Sequence, residues 1–274
     1  MPKNVLIYGG YNWFGYEIIN TLLRENSFTH FIIVDSFQNH FWKSHIKDKF
    51  DNYRHLYEED IFLWSIDVKD RYKLEELYKA HNITHVINNI KYNTNDVYSK
   101  EKTDGYRHIA ELNIKYNIQS YICLYRKITH DTFGLNHDKL DHVLICQIFN
   151  DCVKEINAPL RRHMELFEIE LYDYVCGPTK DPYNDIVAMY KNIVNSQSPL
   201  HVQKCNFYMQ YDDELVKCVE DMLTNRTPTQ LTRRQYAYID LYETVYFHIT
   251  KNCRDKERQI KDDAKLLNHI QDGN

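Results

Sequence analysis

Short apolar runs alternate with amphipathic stretches along the first 175 residues. The run 5–8 (VLIY) predicts a strand. Residues 14–24 predict a helix, with Ile18, Ile19, Leu22 and Leu23 on one face. The run 30–35 (HFIIVD) is apolar on both of its faces, as a parallel strand covered on both sides must be. Further strands are expected at 61–67, 84–90 and 120–125. Residues 70–82 read as a polar-faced helix with Leu74, Leu77 and Tyr78 inward, and 104–117 as another helix. This order of strand and helix predicts an α/β fold, a doubly wound parallel sheet of the Rossmann type.

The second half is less regular. A helix is expected over about 139–156, a sixth strand region over 165–175, and a break at Gly177-Pro178. Helices follow at 184–196 and 212–224, and two more in the tail from about 236 to 270. The division expected is a Rossmann-type dinucleotide-binding domain, 1–175, and a smaller, mostly helical lobe, 176–274. Segments of that lobe are expected to return to the first domain.

Composition narrows the function. The net charge of -5, without a Lys/Arg block, argues against nucleic acid as a partner. No stretch approaches the ~18 apolar residues of a membrane span, and the N-terminal run reads as a core strand rather than a leader. The seven cysteines are scattered and form no Cys-x-x-Cys pair, as expected of free thiols in a reducing, cytoplasmic setting.

The chemistry-bearing stretch is Gly9-Gly10-Tyr11-Asn12-Trp13-Phe14-Gly15, between the first strand and the first helix. Gly9 suits a tight turn, and Gly15 suits close packing of helix on strand. A helix starting near Phe14 aims free N–H groups at a phosphate. Asn12 is one of the few non-glycine residues that tolerate positive φ. Asp35 stands twenty residues beyond Gly15, at the distance where a carboxylate meets a ribose. The same residues also fit a plain β–α turn with a strand-end carboxylate.

Together with "SIDVKDRYKLEELYKAHNITHVINNI", "VCGPTKDP" and "YDDELVKCVEDML", this stretch resembles the extended short-chain dehydrogenase/reductase family. Its members are the NAD-dependent epimerases and dehydratases of nucleotide sugars. The resemblance covers nearly the whole chain in order and spacing. It implies that Gly9, Asn12, Trp13, Phe14 and Gly15 line the pyrophosphate and that Asp35 holds the adenosine ribose, which favours NAD over NADP. It also implies that Asp67 and Val68 touch adenine, and that Asn89 lies at the end of strand four, where ligands of such sheets sit. A nucleotide-sugar ligand is implied in the second lobe. Pairing with a second copy or a paralogue is implied through the helices near 104–117 and 139–156.

The family's acid/base chemistry needs a Ser/Thr, a Tyr and, four residues on, a Lys. Lys139 matches the Lys, but Leu135 stands at the Tyr. Strand five runs into Tyr125 and Arg126 where the hydroxyl belongs, with Thr129 the nearest replacement. Three readings follow. The first is a cofactor-binding pseudoenzyme with a binding, regulatory or structural role. The second is an active epimerase, dehydratase or reductase whose acid/base has moved to His130, His137 or Tyr125. The third is an architectural protein without cofactor. No metal-ligand motif is present in the sequence.

Overall fold

The computed structural model describes residues 3–11, 13–24, 28, 30–36, 60–90, 100–126, 137–171, 174–176, 206–231 and 234–237. The expected helix at 184–196 lies outside these residues, as does the expected helical tail beyond Ala237; at its start Tyr236 and Ala237 are strand rather than helix, because they pair with Phe207 and Asn206.

The first half contains β1 (Asn4–Tyr8), α1 (Trp13–Arg24), β2 (His30–Asp35), β3 (Ile61–Ser65), α2 (Arg71–Ala80), β4 (His85–Asn88), α3 (Lys100–Lys115) and β5 (Ser120–Arg126). Then come α4 (His137–Asn157), a 3-10 turn (Ala158–Arg162) and β6 (Glu165–Leu171). The six strands form one sheet in the order β3-β2-β1-β4-β5-β6, every neighbouring pair parallel. This is the doubly wound Rossmann-type arrangement that the alternation of runs predicts.

Alternation within each strand divides the core into two layers. Leu6, Tyr8, Ile32, Val34, Val86, Tyr121 and Cys123 face α2, α3 and α4, against Leu74, Leu77, Tyr78, Ile109, Leu112, Phe149 and Val153. Val5, Ile7, Phe31, Ile33, Ile87, Ile122 and Leu124 face the other way, against Ile18, Ile19 and Leu22 of α1. That second layer is completed by Leu215, Val216, Val219 and Leu223 of α5 (Asp212–Leu223), a helix from the second half of the chain. α2 begins where the Asp70 carboxylate accepts the Lys73 N–H at 3.2 Å, a side-chain cap on an otherwise unpaired donor. α3 and α5 each end on an asparagine at positive φ, Asn117 (53°) and Asn225 (57°). The following residues, Ile118 and Arg226, return their N–H groups to the carbonyls of Asn113 and Asp221. These are left-handed caps built on Asn, in a chain with only seven glycines.

The expected strand region 165–175 divides. β6 pairs with β5 from Ser120↔Glu165 to Arg126↔Leu171, where β5 ends. β7 (Tyr174–Cys176) pairs instead with β8 (Asn206–Tyr211), which pairs antiparallel with β9 (Arg234–Ala237) in a second, three-stranded sheet.

The N-terminal edge of the first sheet carries a buried histidine. His85 Nδ1 lies 2.8 Å from the Thr84 hydroxyl, and its ring meets Phe28 edge-on at 5.2 Å. Burial, reinforced by the Lys3 charge, pushes its pKa down to about 4. His81, which accepts the Trp64 indole N–H at 3.0 Å, is lowered for the same main reason, burial. The folded state thus holds His85 neutral where the unfolded chain, with a pKa of ~6.5, binds a proton. Stability is therefore lost as pH falls below that unfolded value, and the loss levels off only near the folded one. Between pH 7 and pH 5 the His85 contribution should drop by about 2 kcal/mol. Urea unfolding at the two pH values should show it, and His85→Gln should remove most of the difference.

Candidate functional site

The sheet order reverses at β1, because β2 pairs on one side of it and β4 on the other. α1 covers one face of the sheet and α3 the other, and at such a reversal the crevice outside the carboxyl ends of the central strands is the usual ligand position in an open α/β sheet.

At that point Gly9 turns with φ +60° and donates its N–H to the Val34 carbonyl at 2.8 Å. From the other side, Asn89 donates its backbone N–H to the Tyr8 carbonyl at 3.0 Å. Its side-chain amide reaches the Gly9 carbonyl at 3.4 Å. A Cβ on Gly9 would stand 2.6 Å from the Asn89 carbonyl oxygen. Left-handed backbone and close approach together require glycine there. α1 begins four residues later at Trp13, and Phe14 is half-buried against the α1 layer. A Cβ on Gly15 would overlap the carbonyl oxygen of Gly10, so the helix rests directly on the turn. Asn12 and the side chain of Trp13 lie outside the described residues.

Asp35 ends β2 one residue beyond Val34, the register partner of Tyr8, and so lies beside Gly9. It is half-buried, and its carbonyl accepts the Ile66 N–H at 3.1 Å. Asp67 and Val68 follow on the loop after β3. The Asp67 carboxylate accepts the Lys69 N–H at 3.1 Å, an Asx turn that shapes this loop. Next to Asn89, Asn88 is fully buried. Its amide donates to the Tyr121 hydroxyl at 3.0 Å and its carbonyl accepts the Ile90 N–H at 3.2 Å. Gly9, Gly15, Asp35, Asp67, Val68 and Asn89 thus lie along one arc at the carboxyl edge of the sheet.

Helix α3 touches this arc through three residues that the motif spacing did not mark, Gly105, Tyr106 and His108. Only a glycine inside a helical run hinted at them.

The acid/base side of the crevice is different. Tyr125, near the end of β5, turns into the layer beneath α4 and is only 5% exposed. The Lys154 ammonium lies 5.1 Å from its ring centroid. Burial, with the Glu168 and Glu170 carboxylates nearby, pushes its pKa well above the ordinary tyrosine value. That environment favours the neutral phenol. Lys139 stands in the first turn of α4. Since α4 leads back to the start of β6 at the opposite edge, its first turn lies on the carboxyl side of the sheet. The side chains of Lys139 and His137, and all of Thr129, His130 and Leu135, lie outside the described residues. Among the described residues, no cluster of three or more His, Cys, Asp or Glu could hold a metal ion, and no helix is long and apolar enough to cross a membrane. Cys123, Cys152 and Cys218 are free thiols. Burial pushes Cys123 up to about 12, which leaves it inert.

No family model matches the chain, and no curated protein matches it by sequence. Solved structures do match. The Bordetella bronchiseptica enzyme WbmG in complex with NAD superposes with a TM-score of 0.64 at 12% identity, over 91% of this chain and 79% of its own. The UDP-glucose 4-epimerase of Thermotoga maritima with UDP-glucose gives 0.63 at 15% identity, over 88% and 81%. The dTDP-glucose 4,6-dehydratase of Bacillus anthracis in complex with NAD gives 0.67 at 10% identity, over 90% and 81%. The chain shares their fold. The likeness extends through most of each chain.

The Gly10–Gly15 contact makes one substitution diagnostic. Gly15→Ala adds helix propensity worth about 1 kcal/mol, yet forces a methyl group into the Gly10 carbonyl. We expect a net destabilisation of about 2 kcal/mol or more, as for other overpacked sites, read from the shift of the guanidinium unfolding midpoint.

Proposed function

We propose that this chain is an NAD-binding pseudoenzyme on the fold of the nucleotide-sugar epimerases and dehydratases. It keeps the dinucleotide crevice, lacks the family's proton-transfer group, and acts as a binding, regulatory or structural component. The observation that carries the reading is the Gly9 turn. It is left-handed, clamped by hydrogen bonds from both neighbouring strands, and too close to Asn89 for any side chain. Such a turn carries the chain from β1 straight to the start of α1, and a helix N-terminus in that place is where a dinucleotide pyrophosphate is held. Gly9, Asn12, Trp13, Phe14 and Gly15 would hold the pyrophosphate, Asp35 the adenosine ribose, and Asp67, Val68 and Asn89 the flanks. NAD, when bound, supplies a hydride acceptor. The fold neighbours solved with NAD, and with UDP or UDP-glucose, support NAD and a nucleotide-sugar ligand here.

Impaired catalysis is supported by Leu135 at the acid/base position and by Tyr125, whose phenol is buried beneath α4. Lys139 would remain as a ribose contact. Without a positioned proton-transfer group the rate should fall by about 10²–10⁴. With added NAD, no turnover of UDP-glucose or dTDP-glucose should be detectable by chromatography. Robust turnover that disappears in His130→Ala or His137→Ala would replace this reading with an active enzyme that uses a moved acid/base.

Binding is tested by calorimetric titration with NAD. We expect saturable binding, weakened about tenfold to a hundredfold in Asp35→Ala, which loses a charge-assisted acceptor. NADP should bind more weakly than NAD to the wild type. No heat of binding at millimolar NAD would leave the Gly9 turn as a purely architectural β–α connection.

A further inference from the structure

One turn of α3 touches both loops that leave the sheet on either side of the crevice. His108 Nδ1 lies 3.2 Å from the backbone carbonyl of Val68. A carbonyl can only accept, so the ring donates, and the hydrogen bond selects the tautomer with the proton on Nδ1. Two residues earlier, the Tyr106 hydroxyl donates to the carbonyl of Ile90 at 3.4 Å. Its ring is 2% exposed and packs edge-on against Phe149 of α4 at 5.6 Å. Between these contacts and the loop after β3 there is no spare room. A Cβ on Gly105 would come within 2.8 Å of the Val68 Cγ2 atom.

We propose that Gly105, Tyr106 and His108 form a brace that sets the gap between the β3 and β4 exit loops. On the NAD reading above, on which this inference rests, that gap is the slot for the adenine half of the dinucleotide. The three residues are then positioning residues, acting through Val68 and Ile90. The physical reason is preorganisation. A loop carbonyl already fixed by a side chain does not have to be ordered when a ligand arrives, and that ordering cost is subtracted from affinity. Gly105, with no side chain, lets α3 pack closely on Val68, His108 ties the loop after β3, and Tyr106 ties the loop after β4. Because Tyr106 also rests on α4, the brace joins the slot to the helix that carries Lys139.

The test uses the full chain and two measurements. Amide hydrogen exchange of the protein without ligand reads the brace itself. His108→Leu should speed exchange at Lys69 and Asp70, and Tyr106→Phe at Asn89 and Ile90, while amides of β1 and β2 keep their rates. His108→Gln, which keeps a donor, should restore protection. Unchanged exchange in both loops would overturn the brace. Calorimetry with NAD, AMP and nicotinamide mononucleotide reads its purpose. If wild type binds NAD, His108→Leu, Tyr106→Phe and Gly105→Ala should each weaken NAD and AMP about threefold to tenfold, the effect of one hydrogen bond or its equivalent. Nicotinamide mononucleotide should be unaffected. Equal weakening of all three ligands, or of none, would overturn the assignment to the adenine half. If wild type binds no NAD, the cofactor reading and that assignment both fail, and the exchange data alone decide whether the brace exists.

Discussion

Everything at the crevice depends on β1 having no free side. It is buried on both faces and paired along both edges, so its backbone carbonyls and N–H groups are committed and its end is fixed. The only direction left to the chain at Tyr8 is outward over the carboxyl edge. Gly9 takes it with a backbone conformation that side chains disfavour, inside a gap bounded by Val34 on one side and Asn89 on the other. Because β2 and β4 are both parallel to β1, their exits open on the same edge. Asp35 and Asn89 are therefore delivered to the turn by register, without any contact being designed between them.

The same constraint explains the polar groups inside the core. A strand covered on both faces has no solvated side, so its polar groups are best satisfied inside the protein, although Ser120 Oγ on β5 and Asn113 Nδ2 are buried without a hydrogen-bond partner. Tyr8 finds its partner by donating to the Tyr78 hydroxyl at 3.2 Å, which donates to Asn113 Oδ1 at 2.6 Å. That chain ties β1 to α2 and α3 at once. Asn88 and Tyr121 form the corresponding link between β4 and β5. Burial raises the pKa values of Tyr8, Tyr78 and Tyr121, so these phenols stay neutral and keep their protons for hydrogen bonding. Tyrosine is abundant in this chain, and here it works as a long apolar side chain with a polar tip.

The sequence by itself determined what depends on near neighbours. Strand and helix positions through residue 126 followed from periodicity, since 30–35 and 70–82 carry their burial patterns on their faces. Leu74, Leu77 and Tyr78 point inward as expected. The Gly9 turn followed from glycine spacing, because a left-handed backbone is a local demand. The tertiary structure decided what depends on strands and helices meeting. It turned Tyr125 into the layer under α4, since side-chain parity is set by which face of the sheet each helix covers. It split 165–175 between two sheets, because Glu165–Leu171 pair with β5 while Tyr174–Cys176 pair with β8, a strand from far along the chain. It also brought α5 from the second half beneath the first sheet, and Gly105, Tyr106 and His108 to Val68 and Ile90. Such contacts join residues tens to hundreds of positions apart, and no local pattern of hydrophobic and polar residues encodes which surfaces will touch.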